Sequence, residues 1–217
     1  MVILYSGGMD SSVALYKYFN EIRLAVSFDY GSKHNKIEIA YAAQNCKALG
    51  IEHRIVHIDL NKMGFVSDLL QSGGDIPDGH YEDESMKKTV VPFRNGIMLS
   101  IAAGIAESLE CNKLLISNHA GDHAIYPDCR PEFVESMNNA IRFGTYNNVQ
   151  IFAPFTNLTK REIALIGKEI NVPFENTYSC YNGQETHCGT CGTCTERKEA
   201  LAGFDKTEYR QKIKDER

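Results

Sequence analysis

Seven residues, Ser6-Gly7-Gly8-Met9-Asp10-Ser11-Ser12, stand between a short apolar run, Val2-Ile3-Leu4-Tyr5, and a run free of glycine and proline, Val13 to Phe19. The first run is short and β-branched, as a buried strand requires, and the second has the composition of a helix. A glycine-rich turn that leaves a strand and opens a helix is a phosphate cradle. Its N–H groups point outward unpaired, the helix dipole favours an anion, and glycine lets a phosphate touch the main chain. Ser6, Ser11 and Ser12 add hydroxyl donors at the same place.

The rest of the chain repeats the strand-then-helix alternation. Further strands are expected at Ile22 to Tyr30, Arg54 to Leu60, Lys113 to Ser117 and Val149 to Phe155. Helices are expected from Asn35, after Pro92, from Pro131 and after Thr159. Asn35 with Glu38, and Thr159 with Glu162, have capping-box spacing. Ile39, Ala42, Ala43 and Cys46 are expected on one buried helical face, and Gly50 at its end. Ile97, Ile101, Gly104, Ile105 and Ser108 form a second stripe, with the two small residues admitting a close neighbour. Between Asn61 and Thr89 periodicity fades into a turn-rich, acidic stretch, expected to be either a mobile flap over a site or a solvated excursion.

Five such alternations specify an α/β fold: a parallel five-stranded sheet with helices on both faces. Ligands bind such sheets at the carboxyl ends of the strands, near a switch in strand order. The polar clusters Ser6 to Ser12, Asp29 to His34 and Asn118 to Arg130 each follow a strand, so they are expected to meet at one rim.

Of the seven cysteines, four fall within fifteen residues as Cys180-x7-Cys188-x2-Cys191-x2-Cys194. Four thiolates at this spacing close a tetrahedral zinc site, with Gly183, Gly189 and Gly192 allowing tight turns around the ion. The C-x3-C-P continuation of a ferredoxin-type cluster is missing. A filled four-cysteine site has no open position for water, so a structural role is expected. Cys46, Cys111 and Cys129 read as small buried hydrophobes. Two domains follow from this: residues 1–175 as the nucleotide-binding unit, and 176–217 as a small zinc-binding segment with a terminal helix.

Composition excludes several classes. The net charge of −5 argues against a broad nucleic-acid surface, and no apolar run approaches a bilayer span. A core strand beginning at Val2 leaves no room for a leader peptide, so a reduced cytoplasmic setting is expected. A small-molecule enzyme fits best. Weighed against it are a tRNA-modifying enzyme, which would need a basic extension, and a non-catalytic zinc-ribbon module, which leaves the Ser6 loop unexplained.

The loop lacks both GxxxxGK[ST] and GxGxxG. Its Ser-Gly-Gly-x-Asp-Ser pattern resembles the signature of the pyrophosphatase-loop ATPases, which have the adenine-nucleotide alpha-hydrolase-like fold and cleave ATP between its α- and β-phosphates. Phe28-Asp29-Tyr30-Gly31 with His34, Val91-Pro92-Phe93-Arg94-Asn95, Tyr126 to Phe133, and Ser179-Cys180-Tyr181-Asn182-Gly183 extend the likeness from Val2 to about Lys198. Together they resemble the 7-cyano-7-deazaguanine synthases, the nitrile-forming enzymes of queuosine biosynthesis. Two departures stand out: Phe93 where that family often has glycine, and Ser117 to Ile125, which differs beside the substrate site.

The resemblance implies conversion of 7-carboxy-7-deazaguanine to its nitrile with ATP and free ammonia, commonly in a homodimer. It implies ATP held by Tyr5, Ser6, Gly7, Gly8, Met9, Asp10, Ser11, Ser12, Val13, Ala14 and Leu15, with Mg²⁺ on Asp10. Arg94, Lys33 and Arg130 are candidates to neutralise phosphates or the substrate carboxylate. Asp122 and Asp128 are candidates for the guanine-like edge.

Overall fold

The computed structural model describes residues 1–210. Five parallel strands, β1 (Val2–Leu4), β2 (Leu24–Asp29), β3 (Glu52–His57), β4 (Lys113–Leu115) and β5 (Gln150–Phe152), lie in the order β3-β2-β1-β4-β5. The helices are α1 (Met9–Lys17), α2 (Asn35–Leu49), α3 (Arg94–Ser108), α4 (Pro131–Gly144), α5 (Lys160–Glu169) and α6 (Gly192–Ala200). The α/β class, the five parallel strands and the five alternations agree with the sequence reading. Four expected strands are trimmed at their ends, where pairing to a neighbour stops, and the third, expected at Arg54 to Leu60, is shifted toward the N-terminus, pairing with β2 from Glu52 to His57.

Side chains of β1 alternate between two cores, as the two-residue period of a strand requires. Val2 packs with Leu24, Val26, Leu99, Ala102, Ala106 and Leu114 under α3 and α4. Ile3 and Tyr5 pack with Val13, Leu15, Ala42, Cys46 and Ile163 under α1, α2 and α5. Burying β1 on both faces makes it continuously apolar; the edge strand β3 leaves Ile55 partly in solvent.

Three local expectations are corrected. Asn35 does not form a capping box with Glu38; His34 is the N-cap of α2 and gives no side-chain bond. The Asn35 amide is instead buried, accepting from the N–H groups of Tyr30 and Ser32 and donating to the Phe28 carbonyl, which fixes the turn leaving β2. Ala43 is exposed, and the buried face of α2 runs through Asn35, Ala42, Asn45 and Cys46. In α3 the buried face is Gly96, Leu99, Ala102, Ala103 and Ala106, while Gly104 and Ser108 face outward with no close neighbour at Gly104. Here alanines rather than isoleucines meet the sheet, because close approach to β1 and β4 favours small side chains.

The Thr159–Glu162 capping box forms in both directions. Residues 61–89 lie against the body, anchored by buried Leu69, Leu70, Met86 and Thr89 and by bridges from Leu70 to Ser32 and from Asp78 to Cys191. The cysteine segment shares the main cores: Tyr178, Cys180, Cys191 and Cys194 join one cluster, and Ala200 and Leu201 the other. Among the described residues no helix is long and apolar enough to cross a membrane. Residues 211–217 of the expected C-terminal segment lie outside the described residues.

Candidate active site

β1 connects outward to β2 and β3 on one side, while β4 and β5 lie on the other, so strand order switches between β1 and β4. A cavity of about 260 Å³ opens there, over the ends of β1, β2 and β4. It is walled by the Ser6 loop, the Asp29 to His34 region, the start of α3, the Asn118 to Cys129 stretch and the Tyr178 to Tyr181 segment.

The loop is held by its own hydroxyls. Ser6 Oγ accepts from the Gly8 N–H at 3.1 Å and pairs with Ser11 Oγ at 3.0 Å, while the Tyr5 and Ser12 hydroxyls meet at 3.0 Å. α1 starts at Met9 without a side-chain cap, so its first-turn N–H groups stay free for an anion. Of the eleven loop residues expected at the nucleotide, Tyr5, Ser6, Gly8, Met9, Asp10 and Ser11 line the cavity. Ser12, Val13, Ala14 and Leu15 turn into the core instead, because they fall on the buried side of α1.

Gly7 has φ +87°, and a Cβ there would sit 2.3 Å from the Glu38 carbonyl oxygen. Gly50 also has a positive φ, +67°, but open space around it. Gly7→Ala is therefore expected to cost several degrees of Tm and to deform the Ser6 loop, since loop and α2 must separate. Gly50→Ala carries only the left-handed backbone cost of about 1–2 kcal/mol and is expected to leave the loop intact. Thermal melts and anion titrations on both variants check this.

A charged cluster that the motif did not foreshadow surrounds Asp10. Lys160 Nζ lies 3.1 Å from Asp10 Oδ2 and 2.8 Å from Glu196 Oε2, and stands 5.5 Å from the centre of the Tyr81 ring. His119 Nε2 is 3.5 Å from Asp122 Oδ1 and 3.9 Å from both Asp10 and Glu196. Burial works against the Lys160 charge, but Asp10, Glu196 and Asp122 outweigh it and hold the ammonium protonated. Burial pushes the Glu196 carboxyl up, and Lys160 only partly offsets it. Asp10 Oδ1 is buried with no hydrogen-bond partner among the described residues.

The other candidates divide. Arg94 lines the cavity, donates to the Tyr30 hydroxyl at 3.2 Å and makes no ion pair among the described residues, so its charge is available to an anion. Lys33 and Arg130 are corrections. The Lys33 ammonium is consumed by the carbonyls of Asp68, Gly73 and Gly74, and exposed Arg130 donates to the His123 carbonyl; neither lines the cavity. Asp122 and Asp128 line it but are already engaged. Asp122 accepts from the Tyr81 hydroxyl at 2.9 Å and the His119 N–H at 3.0 Å. Burial raises its pKa, yet His119 and Lys160 outweigh this and keep it below the usual value. Asp128 accepts from the Asn95 N–H at 2.8 Å, holding the start of α3. A wall of tyrosines completes the cavity: Tyr81 and Tyr126 rings are 5.7 Å apart, Tyr126 and Tyr181 hydroxyls 3.3 Å, and Tyr181 stacks on His34 at 5.2 Å.

Phe93, where glycine was the expectation from likeness, takes φ +54°, the left-handed conformation glycine adopts freely. Its ring packs edge-on against Phe133 at 5.7 Å.

Behind the cavity the sulfurs of Cys180, Cys188, Cys191 and Cys194 lie within 4.8 Å of one another. The Cys188 sulfur accepts from the N–H groups of Cys191 and Thr190, which stabilises a thiolate. An all-sulfur set of four fits a closed tetrahedral metal centre. His187 stays out of it, its Nε2 accepting from the Ser179 N–H.

Comparison with known proteins agrees with this geometry. The family profile "Queuosine biosynthesis protein QueC" matches residues 1–205. The chain is 55% identical over 211 residues to the 7-cyano-7-deazaguanine synthase of Porphyromonas gingivalis, covering 96% of each chain. It is 49% identical over 213 residues to that of Desulfotalea psychrophila, covering 96% of this chain and 97% of the relative. Among solved structures, an NMN synthetase from Francisella tularensis has the same fold, with a TM-score of 0.50 at 16% identity, covering 85% of this chain and 67% of the other. Whole-length identity at this level is a matter of descent, and the chain belongs to the QueC family of queuosine biosynthesis enzymes, beside the 7-cyano-7-deazaguanine synthases.

Proposed function

We propose that the enzyme converts 7-carboxy-7-deazaguanine and ammonia to 7-cyano-7-deazaguanine at the expense of ATP, through adenylylated carboxylate and amide intermediates. One observation carries most of the reading. A phosphate loop, the Asp10–Lys160 pair and Arg94 share one cavity with a wall of aromatic rings. The nucleotide's pyrophosphate would rest on the Ser6 loop, and the planar bicyclic substrate against Tyr81, Tyr126 and Tyr181. Residues 1–175 would form the nucleotide-binding unit and residues 176–217 the metal-binding segment, which also lends Tyr178 and Tyr181 to the cavity wall.

A carboxylate is a poor electrophile because its leaving group would be oxide. Transfer of an adenylyl group to that oxygen makes it a good leaving group, so ammonia attacks and AMP departs, leaving an amide. Adenylyl transfer to the amide oxygen, followed by loss of AMP and protons, leaves the nitrile. One site serves both rounds because both act on oxygen attached to the same carbon. The protein's part is positioning and charge neutralisation. Lys160 would face the charge that develops as the α–β bond of ATP breaks, and Arg94 the substrate carboxylate.

The free Asp10 Oδ1 fits Mg²⁺, which would neutralise phosphate charge when bound. The cysteine quartet fits a structural Zn²⁺. We place the enzyme in the cytoplasm, without stable nucleic-acid or membrane partners, and as a homodimer; exposed Phe143 and Tyr146 at the end of α4 offer apolar surface for a second copy.

Incubation with ATP, Mg²⁺, ammonium and 7-carboxy-7-deazaguanine is expected to give the nitrile and two AMP per product, read by mass spectrometry. Folded enzyme that makes AMP but no nitrile would sink the substrate assignment while sparing adenylylation.

A further inference from the structure

Glu38 is an acid in an unexpected place. It sits one turn into α2, lines the same cavity as the phosphate loop, and is 14% exposed. Its backbone carbonyl packs beneath Gly7, and its Oε1 lies 4.0 Å from where a Cβ on Gly8 would be. A carboxylate there would face the anion that the loop is built to receive, and at such a distance in a partly buried site the repulsion is substantial.

The surroundings do not supply a compensating contact. His34, the N-cap of the same helix, places Nε2 3.4 Å from Glu38 Oε2. Burial first, and Arg94 second, hold the His34 imidazole down at about 3, so it is neutral. Its hydrogen-bond partner is the Ser32 hydroxyl, 3.4 Å from Nε2, and its Nδ1 is buried without a partner among the described residues, which fits the tautomer that carries the proton on Nε2, the nitrogen facing both Ser32 and Glu38. Arg94 reaches in from α3, but forms no ion pair with Glu38 among the described residues. Tyr30, at the end of β2, faces the pair with a hydroxyl that burial keeps protonated. From the cysteine segment, Tyr181 stacks on His34, and the Tyr178 carbonyl stands 3.5 Å from the same Gly8 position. Among the described residues no neighbouring element presents a cation in contact with Glu38.

We propose that Glu38 serves the phosphate loop as a neutral carboxylic acid, with Oε2 turned toward the His34 imidazole and Oε1 donating a hydrogen bond to a phosphate oxygen of the bound nucleotide. The inference rests on the nucleotide reading of the cavity. Burial lifts the Glu38 carboxyl to about 8, with Arg94 opposing, so the proton is already in place at neutral pH before a nucleotide binds. A phosphate close by holds it more tightly still. Since the bound state favours the protonated form, affinity is full below about 8 and is lost as pH rises above it.

The test uses the Mg²⁺ complex of α,β-methylene-ATP, which cannot be cleaved at the α–β position, titrated by calorimetry from pH 6.5 to 9.5. Wild-type affinity is expected to be flat to about pH 8 and then to fall toward tenfold per pH unit. Glu38→Gln keeps a donor but cannot ionise, so its affinity at pH 7 should lie near wild type and its alkaline loss should vanish. Repeating the wild-type titration at pH 9 in buffers of different ionisation enthalpy reads the proton directly, without any variant, and net uptake approaching one proton per nucleotide is expected. Binding with no alkaline loss and no proton uptake overturns the role of Glu38 while leaving the nucleotide site standing. The same alkaline loss in Glu38→Gln assigns it to another group and also overturns it. Absence of binding at every pH overturns the nucleotide reading and this inference together.

Discussion

Lys160→Met is expected to lower AMP formation by about 10²- to 10³-fold, the usual cost of removing one preorganised positive contact from a developing charge. The loop has no lysine of its own, and Lys160 from the start of α5 is the cation in contact with Asp10. The substitution also strips the partner from Asp10 and Glu196, and breaking a buried pair on one side costs about 3–5 kcal/mol. A structural explanation is therefore available and has to be separated from a catalytic one. Lys160→Met with Glu196→Gln removes one of the stranded carboxylates, and Glu196 does not line the cavity. The double variant is expected to recover much of the urea midpoint and none of the AMP formation. Under the adenylylation proposed above, KM for ATP should rise less than kcat falls, because the interaction would strengthen as the α–β bond breaks. Recovery of turnover together with stability would reduce Lys160 to a structural counter-ion.

The sequence disclosed what local chemistry encodes and concealed what topology assembles. The strand–loop–helix at Val2 to Lys17, the Thr159 cap and the cysteine quartet are each contained in a short window, and each forms. Lys160, Glu196 and Asp10 come from three separate helices, and no window holds two of them. A weaker signal did exist. Lysine in the first turn of a helix opposes the helix dipole, so Lys160 directly after the capping Thr159 breaks a local rule without local gain. Its neighbour Arg161 breaks the same rule and resolves it structurally, donating to the carbonyls of Ala200 and Ala202 at the end of α6. Lys33 and Arg130 show the opposite error. Charge beside a motif says nothing about which way a long side chain points, and Lys33 found three carbonyls of the 61–89 excursion. That excursion had no periodicity to read, yet it supplies Tyr81 to the cavity wall.

If the cysteine quartet holds the structural metal proposed above, breaking it should disable the cavity as well as lower stability, because the cysteine segment builds one wall of the cavity. The Tyr178 N–H donates to the Gly7 carbonyl at 3.0 Å, fixing the left-handed glycine of the Ser6 loop. Tyr181, next to Cys180, stacks on His34, and Glu196, two residues past Cys194, holds Lys160. Arg197 follows on α6, fully buried, and ties the segment down by donating to the Thr177 and Ser179 hydroxyls and the Phe174 carbonyl. Cys191 is itself at 0% exposure in the main core. Cys191→Ser is expected to lose the bound ion by elemental analysis, to lower Tm by more than about 10 °C, and to weaken α,β-methylene-ATP binding at least tenfold at a temperature where the protein is still folded. Cys111→Ser, at a buried cysteine outside the quartet, controls for the loss of one sulfur and should keep both ion and nucleotide. If Cys191→Ser loses the ion yet binds nucleotide normally below its Tm, the segment is a peripheral staple. Parallel loss of ion and affinity, with circular dichroism unchanged, makes the thiolate cage the support on which Ser6 to Ser12 keeps its shape.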